Sequence, residues 1–309
     1  MKYKLFLTAA LVAVFSILFI PAQIFAQQNK SGLSITPLTF DFSLKPNDTK
    51  TDTIYLTNLS NKSVEIAVEP RNFFAKGEEG GITLTKDSIT YALSDWISIS
   101  PNRVIMPPKE KIAFKFTVNI PNNPEPGGHF GAIVFSTVPK KDAKQTAAYL
   151  TQEIGTLIFI KTPGDVKEKA GIASFTTDKS FYEFGPINFI TRIKSDSTVH
   201  IRPVGSITIT NMLGNKETIN IEPKNVLPGA IRKLDAQWDK KILFGQYKAE
   251  VKLSYGTKGE TLTAKTSFWT FPVRWGLLAI GTLAIIIIIN TLVVLFFIRR
   301  GQKKKTKQE

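Results

Sequence analysis

Between positions 111 and 120 every second residue is apolar: Ile112, Phe114, Phe116, Val118 and Ile120. Successive side chains of a β-strand point to opposite faces, so this spacing gathers all five on one face of a long, half-buried strand. A helix would scatter the same residues around its surface. The pattern recurs upstream in Phe40, Phe42 and Leu44, in Ile54 and Leu56, and in Val64, Ile66 and Val68. Residues 58–61 form a polar turn between the last two runs, and residues 130–138 and 154–160 complete the set. Almost no 3.6-residue periodicity intervenes. Parallel crossovers would need helices, so the pattern favours antiparallel pairing.

Pro163-Gly164 and the charged stretch 165–169 close this block. A second strand-rich block begins near Gly171, with runs at 172–175, 187–193, 205–210, 218–221, 247–255 and 262–271. Turns fall at Asn215, at Pro228-Gly229 and at Gly245. The expected fold is therefore all-β: two tandem sandwiches, residues 27–165 and 166–272, each of ordinary domain size. The chain contains no cysteine, which excludes disulfides, thiol catalysis and Cys-ligated metals. Each core must rest on apolar faces, for which 22 Phe and 4 Trp supply material.

The two ends read differently. Lys2 and Lys4 precede an apolar run at 5–20 that Pro21 breaks, and Ile24-Phe25-Ala26 offers a cleavage site before Gln27. Residues 1–26 are expected to be a signal peptide, the alternative being an uncleaved membrane anchor. Residues 275–298 contain no charge and would span about 36 Å as a helix, enough to cross a bilayer with some tilt. Trp275 stands where an interfacial aromatic belongs. Asn290 is the one amide inside, either a helix-packing contact or a tolerated polar residue. Six of the 40 Lys and Arg follow residue 298, and such a cluster holds its flank in the cytoplasm. The expectation is a single-pass type I cell-membrane protein, with its sandwiches outside and a basic cytoplasmic tail at 299–309.

Two segments resemble a known family. Residues 53–64 (TIYLTNLSNKSV) and 106–118 (MPPKEKIAFKFTV) are similar to immunoglobulin-like domains of the pilus-chaperone type. Residues 126–135 (PGGHFGAIVF) narrow the likeness to the first domain of bacterial WxL-interacting surface proteins. Residues 200–211, 226–229 and 245–247 resemble a membrane-proximal sandwich of single-span bacterial surface proteins, and depart from that family's usual partner-binding module. The resemblance implies immunoglobulin-like sandwiches, with peptidoglycan as the first domain's partner and a surface protein as the second's. It transfers no individual binding residue.

Chemistry is sparse. The two histidines, His129 and His200, lie in different blocks, far from any nucleophile elbow, and read as a turn residue and a strand-edge residue. Gly127 and Gly128 read as a turn leading into a strand, whereas a phosphate loop leads into a helix. Glu78 and Glu79 sit in a glycine-rich loop as solvated charge, without the carboxylate ladder of a calcium site. No catalytic residue, cofactor or metal is expected. Four ligand-binding candidates remain: Arg71, Phe73, Phe74 and Asp95. Adjacent phenylalanines on a strand must point opposite ways, which exposes one of them. Asp95 beside Trp96 offers an acid and an aromatic for a sugar, although Trp96 before Ile97 and Ile99 also fits a core anchor. The positive ectodomain suits anionic wall polymers or lipid headgroups, and the basic tail abuts a membrane span, against a nucleic-acid role. The expected function is a non-enzymatic surface protein binding peptidoglycan, another envelope protein, or both. The alternative is a membrane-tethered chaperone or scaffold for surface proteins.

Overall fold

The computed structural model describes residues 32–139 and 151–305, with the backbone alone for 296–305. The expected signal peptide and the last four residues of the tail lie outside the described residues. The described residues form four β-sheets and one C-terminal helix. In the first sandwich a four-stranded sheet runs β1 (Leu33–Thr36), β3 (Thr49–Asn58), β8 (Lys111–Asn119), β6 (Ile97–Ile99). It faces a sheet ordered β2 (Thr39–Ser43), β10 (Glu153–Thr162), β9 (Gly127–Val138), β4 (Val64–Lys76), β5 (Gly81–Thr85), with β7 (Arg103–Met106) also on β4.

The second sandwich packs β11 (Ala170–Thr177), β13 (Ile187–Ser195) and β16 (Ile231–Trp238) against a five-stranded sheet. That sheet runs β12 (Phe181–Tyr182), β18 (Glu260–Thr270), β17 (Gly245–Tyr255), β14 (Val204–Asn211), β15 (Lys216–Ile221). Most neighbours are antiparallel, but β2 pairs with β10, and β12 with β18, in parallel. No helical crossover is needed. The chain leaves β1 in one sheet, crosses at Pro37-Leu38 and joins the edge of the facing sheet, so the connection passes between layers.

The period-two residues build the cores. Ile54, Leu56, Phe114, Phe116 and Val118 meet Ile66, Val68, Ile133, Phe135, Ile158 and Ile160, with the Phe114 and Phe135 rings 5.0 Å apart edge to face. Phe189, Ile193 and Leu234 likewise meet Ile207, Ile209, Val251, Leu253 and Phe268. Asn58 ends β3 fully buried, donating to the carbonyls of Lys62 and Pro107 at 2.8 Å and accepting from the Ser60 N–H at 3.0 Å. It ties down the expected polar turn.

Only two residues separate β18 from helix α1 (Val273–Lys305). Residues Val273–Leu295 are long and apolar enough to cross a membrane, and none of this stretch is buried in the protein.

Candidate ligand-binding cleft

Strand β9 is buried along most of its length because both of its faces are covered. One face looks into the first core. On the other, Phe130, Ala132 and Val134 join Phe73 of β4 and Phe159 of β10 in a separate apolar cluster. The three phenylalanine rings lie 5.5–5.9 Å apart in tilted and edge-to-face contacts. The second sandwich caps this cluster. Leu227 packs into it, and the His200 ring sits 5.0 Å from Phe159 and 5.7 Å from Phe130.

Polar contacts fasten the same junction. His200 Nε2 lies 3.0 Å from Asp41 Oδ2, and the Gly128 N–H donates to the Thr198 carbonyl at 2.9 Å. The β4–β5 turn reaches across to the second sandwich. Arg192 Nε donates to Glu78 at 2.6 Å, Lys233 Nζ to Glu79 at 3.0 Å, and the Lys233 N–H to the Glu78 carbonyl at 2.8 Å. Gly80 holds φ +89°, a conformation that residues with a side chain rarely adopt, so this turn favours glycine there. Gly128 is equally constrained, since its Cβ would lie 2.6 Å from the Phe130 ring and 3.2 Å from Val199 Cα.

Beside these contacts a cleft of about 270 Å³ opens between the sandwiches. Its floor is Phe73, Leu157 and Phe159, and its far wall carries Arg202, Lys224 and Arg232. Two cleft groups, Asn225 Oδ1 and Arg232 Nε, are buried without a protein hydrogen-bond partner. Buried polar atoms are nearly always satisfied, so both suit a polar ligand or water. An apolar aromatic floor with cations and amide groups on one side fits a sugar ring that carries an acidic substituent.

At the cleft's edge Asp41 titrates low. Burial opposes its charge, but the hydrogen bond and charge of His200, with Lys161 and Arg202 nearby, outweigh that and hold the carboxyl below its usual range. A depressed acid contributes stability above its unfolded-state value near pH 4, and loses it as the pH falls through the folded value. Acidification through that window is expected to loosen the junction before either sheet melts. The readout is faster proteolysis within residues 163–169 while far-ultraviolet circular dichroism persists. Unchanged cutting until global unfolding would refute it.

The structure does not gather the four sequence candidates into one site. Arg71 and Phe73 share the outer face of β4. The Arg71 guanidinium is already engaged, bonding Glu69 through Nε at 2.6 Å and Glu153 through Nη2 at 3.1 Å. Burial opposes charge at both Arg71 and Glu69, yet these bonds and that of Lys86 to Glu69 raise Arg71 above its ordinary value and hold Glu69 below the carboxylate range. Phe73 is 1% exposed and Phe74 46%, the opposed pair that a strand requires. Phe73 is therefore part of the buried cluster under the cleft. Asp95 is exposed on a 3₁₀ turn (Ser94–Trp96), and half-buried Trp96 packs on the first core with its ring 4.2 Å from His129.

Two readings of individual residues change and two are refined. His129 is a buried residue of β9, its ring nitrogens 3.1 and 2.9 Å from the carbonyls of Ala92 and Glu125. His200 is buried between the sandwiches, Gly127 and Gly128 open β9, and Glu78 and Glu79 bind the second sandwich. Sequence reasoning missed Arg202, Lys224 and Arg232 because their neighbours across the cleft come from strands of the other sandwich, distant along the chain. Phe73, Phe130 and Phe159 carried the available signal, each standing out of phase with its strand's core-facing residues.

Residues 26–137 match the model of a family described as WxL Interacting Protein, peptidoglycan binding domain. Over those residues, about the first third of the chain, the protein is similar to the peptidoglycan-binding domain of WxL-interacting proteins. No curated protein matches the chain. Among solved structures, the class 5 fimbriae chaperone CfaA is similar, with 16% identity, 77% of this chain and 99% of that one covered, and a TM-score of 0.38. A chaperone-tip adhesin complex of CFA/I fimbriae gives 15%, 76%, 99% and 0.40, and the E. coli chaperone DraB 11%, 77%, 97% and 0.36. The WxL-interacting-type domain supplies the aromatic floor of the cleft, and the second sandwich supplies its cations.

Proposed function

We propose that the chain is a non-enzymatic surface protein, anchored by α1, that binds peptidoglycan in the cleft between its two domains, which divide near residue 165. The observation that carries this reading is the pairing of a WxL-interacting-type first domain with a cleft combining an aromatic floor and three cationic side chains. Peptidoglycan offers both complements, in its sugar faces and in the carboxylates of its peptide stems. In the same reading residues 1–26 direct export, both domains stand outside the membrane, and the basic tail remains inside. A second surface protein is a further partner of the exposed sandwich surfaces.

Retention of the detergent-solubilised chain on purified peptidoglycan across a salt series tests the proposal. Retention that survives raised salt supports a shaped site. Loss on a modest salt increase reduces the interaction to diffuse charge attraction and overturns the cleft assignment. Absence of retention at low salt overturns wall binding altogether and directs the search to cross-linked protein partners.

A further inference from the structure

The end of the second sandwich farthest from the first domain carries an apolar rim. Three connections meet there: the β12–β13 turn, the β14–β15 turn, and the segment between β16 and β17. They expose Phe184, Met212, Leu213, Ile242 and Phe244, and Phe271 joins them from the end of β18. Leu213 is 86% exposed, Ile242 80% and Phe244 66%. Between the last two, Leu243 turns inward and is buried, so the core accounts for one residue of the Ile-Leu-Phe run and leaves two facing outward. Clustered exposure of this kind marks an interaction surface.

The covalent structure identifies what lies against it. Strand β18 ends at Thr270 and α1 begins at Val273, a gap that spans at most about 10 Å even when extended. The joint is also fastened: the Arg274 N–H donates to Glu183 Oε1 at 2.8 Å, its guanidinium pairs with the same carboxylate at 3.4 Å, and Gly276 lies against the Phe271 ring. A spanning helix that starts there brings the rim to the headgroup layer, about 5–8 Å thick on each side of the hydrocarbon. Exposed Trp269 sits beside Phe181 just above the rim, the level favoured by interfacial aromatics. Lys216 and Lys241 flank the rim without an acidic partner among the described residues, suited to anionic lipid.

We propose that the second sandwich docks on the outer leaflet, inserting the Met212-Leu213 turn and the Ile242–Phe244 segment into the interface. The domain then holds a fixed orientation and presents the cleft away from the membrane. This inference rests on the reading of α1 as a membrane span.

The chain has no cysteine, so single-cysteine variants carry one label each. Leu213→Cys, Ile242→Cys, Lys258→Cys and Ile287→Cys, in otherwise full-length protein, would be labelled with an environment-sensitive fluorophore. Each would be reconstituted into phosphatidylcholine–phosphatidylglycerol vesicles with and without doxyl-labelled lipid. Docking predicts that lipid-borne quencher reduces emission at 213 and 242 by about twofold or more, as for groups some 5–10 Å into the boundary. Position 287 should also be quenched. Position 258, in the β17–β18 turn at the opposite end of the sandwich, should not. A label at Asn215→Cys should lose its quenching when Leu213, Ile242 and Phe244 are replaced by glutamate. Quenching at 287 but not at 213 or 242 overturns docking and leaves the span intact. No quenching at 287 overturns both.

Discussion

Replacing Arg202, Lys224 and Arg232 together by glutamine is expected to reduce retention on peptidoglycan at least about tenfold. Each cation lines the cleft from the second sandwich, whereas Phe73 and Phe159 line it from the first. A hydrogen bond to a charged group contributes about 1.5–3 kcal/mol, and about 1.4 kcal/mol is a tenfold change, so loss of one productive contact suffices. Net charge must be held constant in the comparison. Lys248, Lys252 and Lys265 are exposed on the outer face of the β17–β18 pair, remote from the cleft, and their replacement by glutamine removes the same charge. That control is expected to retain binding. Equal losses in the two triple variants would mean that the wall polymer responds to overall charge and that the cleft is not the site.

The second large effect concerns the floor. Phe159→Ala should destabilise the first domain by about 3–5 kcal/mol, the usual cost of deleting a buried phenylalanine. The ring is buried against Phe73 and Phe130 of the same sheet and His200 of the second domain, so its loss opens a cavity that one β-sheet and the loop covering it cannot jointly close. Phe74→Ala, one strand position from Phe73 but half exposed, should cost under about 1 kcal/mol. Urea midpoints of the two variants measure the contrast. Comparable shifts would show that the outer face of β9 contributes no packing of its own. The salt dependence of the Phe159→Ala variant adds a functional readout, because a distorted floor should weaken salt-resistant retention first.

Much of the architecture is legible in the sequence. Strict alternation in residues 111–120 fixed which side of β8 faces the core, since a one-residue slip would have turned Phe114 and Phe116 into water. The absence of charge over residues 275–298 marked the apolar helix for a similarly local reason: chain length and hydropathy alone decide whether a segment is long and apolar enough to span. The opposed exposure of Phe73 and Phe74 followed from strand geometry in the same way.

The junction was not legible. Glu78 and Glu79 carry every local mark of a solvated turn, and only the packing of the second sandwich supplies Arg192 and Lys233 as partners. His200 has the local sequence of an edge residue, and its partner Asp41 lies 159 positions earlier in the chain. The two parallel strand pairs leave no mark in the sequence, because a chain that switches sheets needs no crossover helix. Properties of short range are written in the sequence: strand period, turn chemistry, the apolar helix and the need for cores without disulfides. The tertiary structure alone decided the cleft, its cations and the interdomain contacts. Those depend on which surfaces meet, and no periodicity along the chain records a contact between segments 100 residues apart.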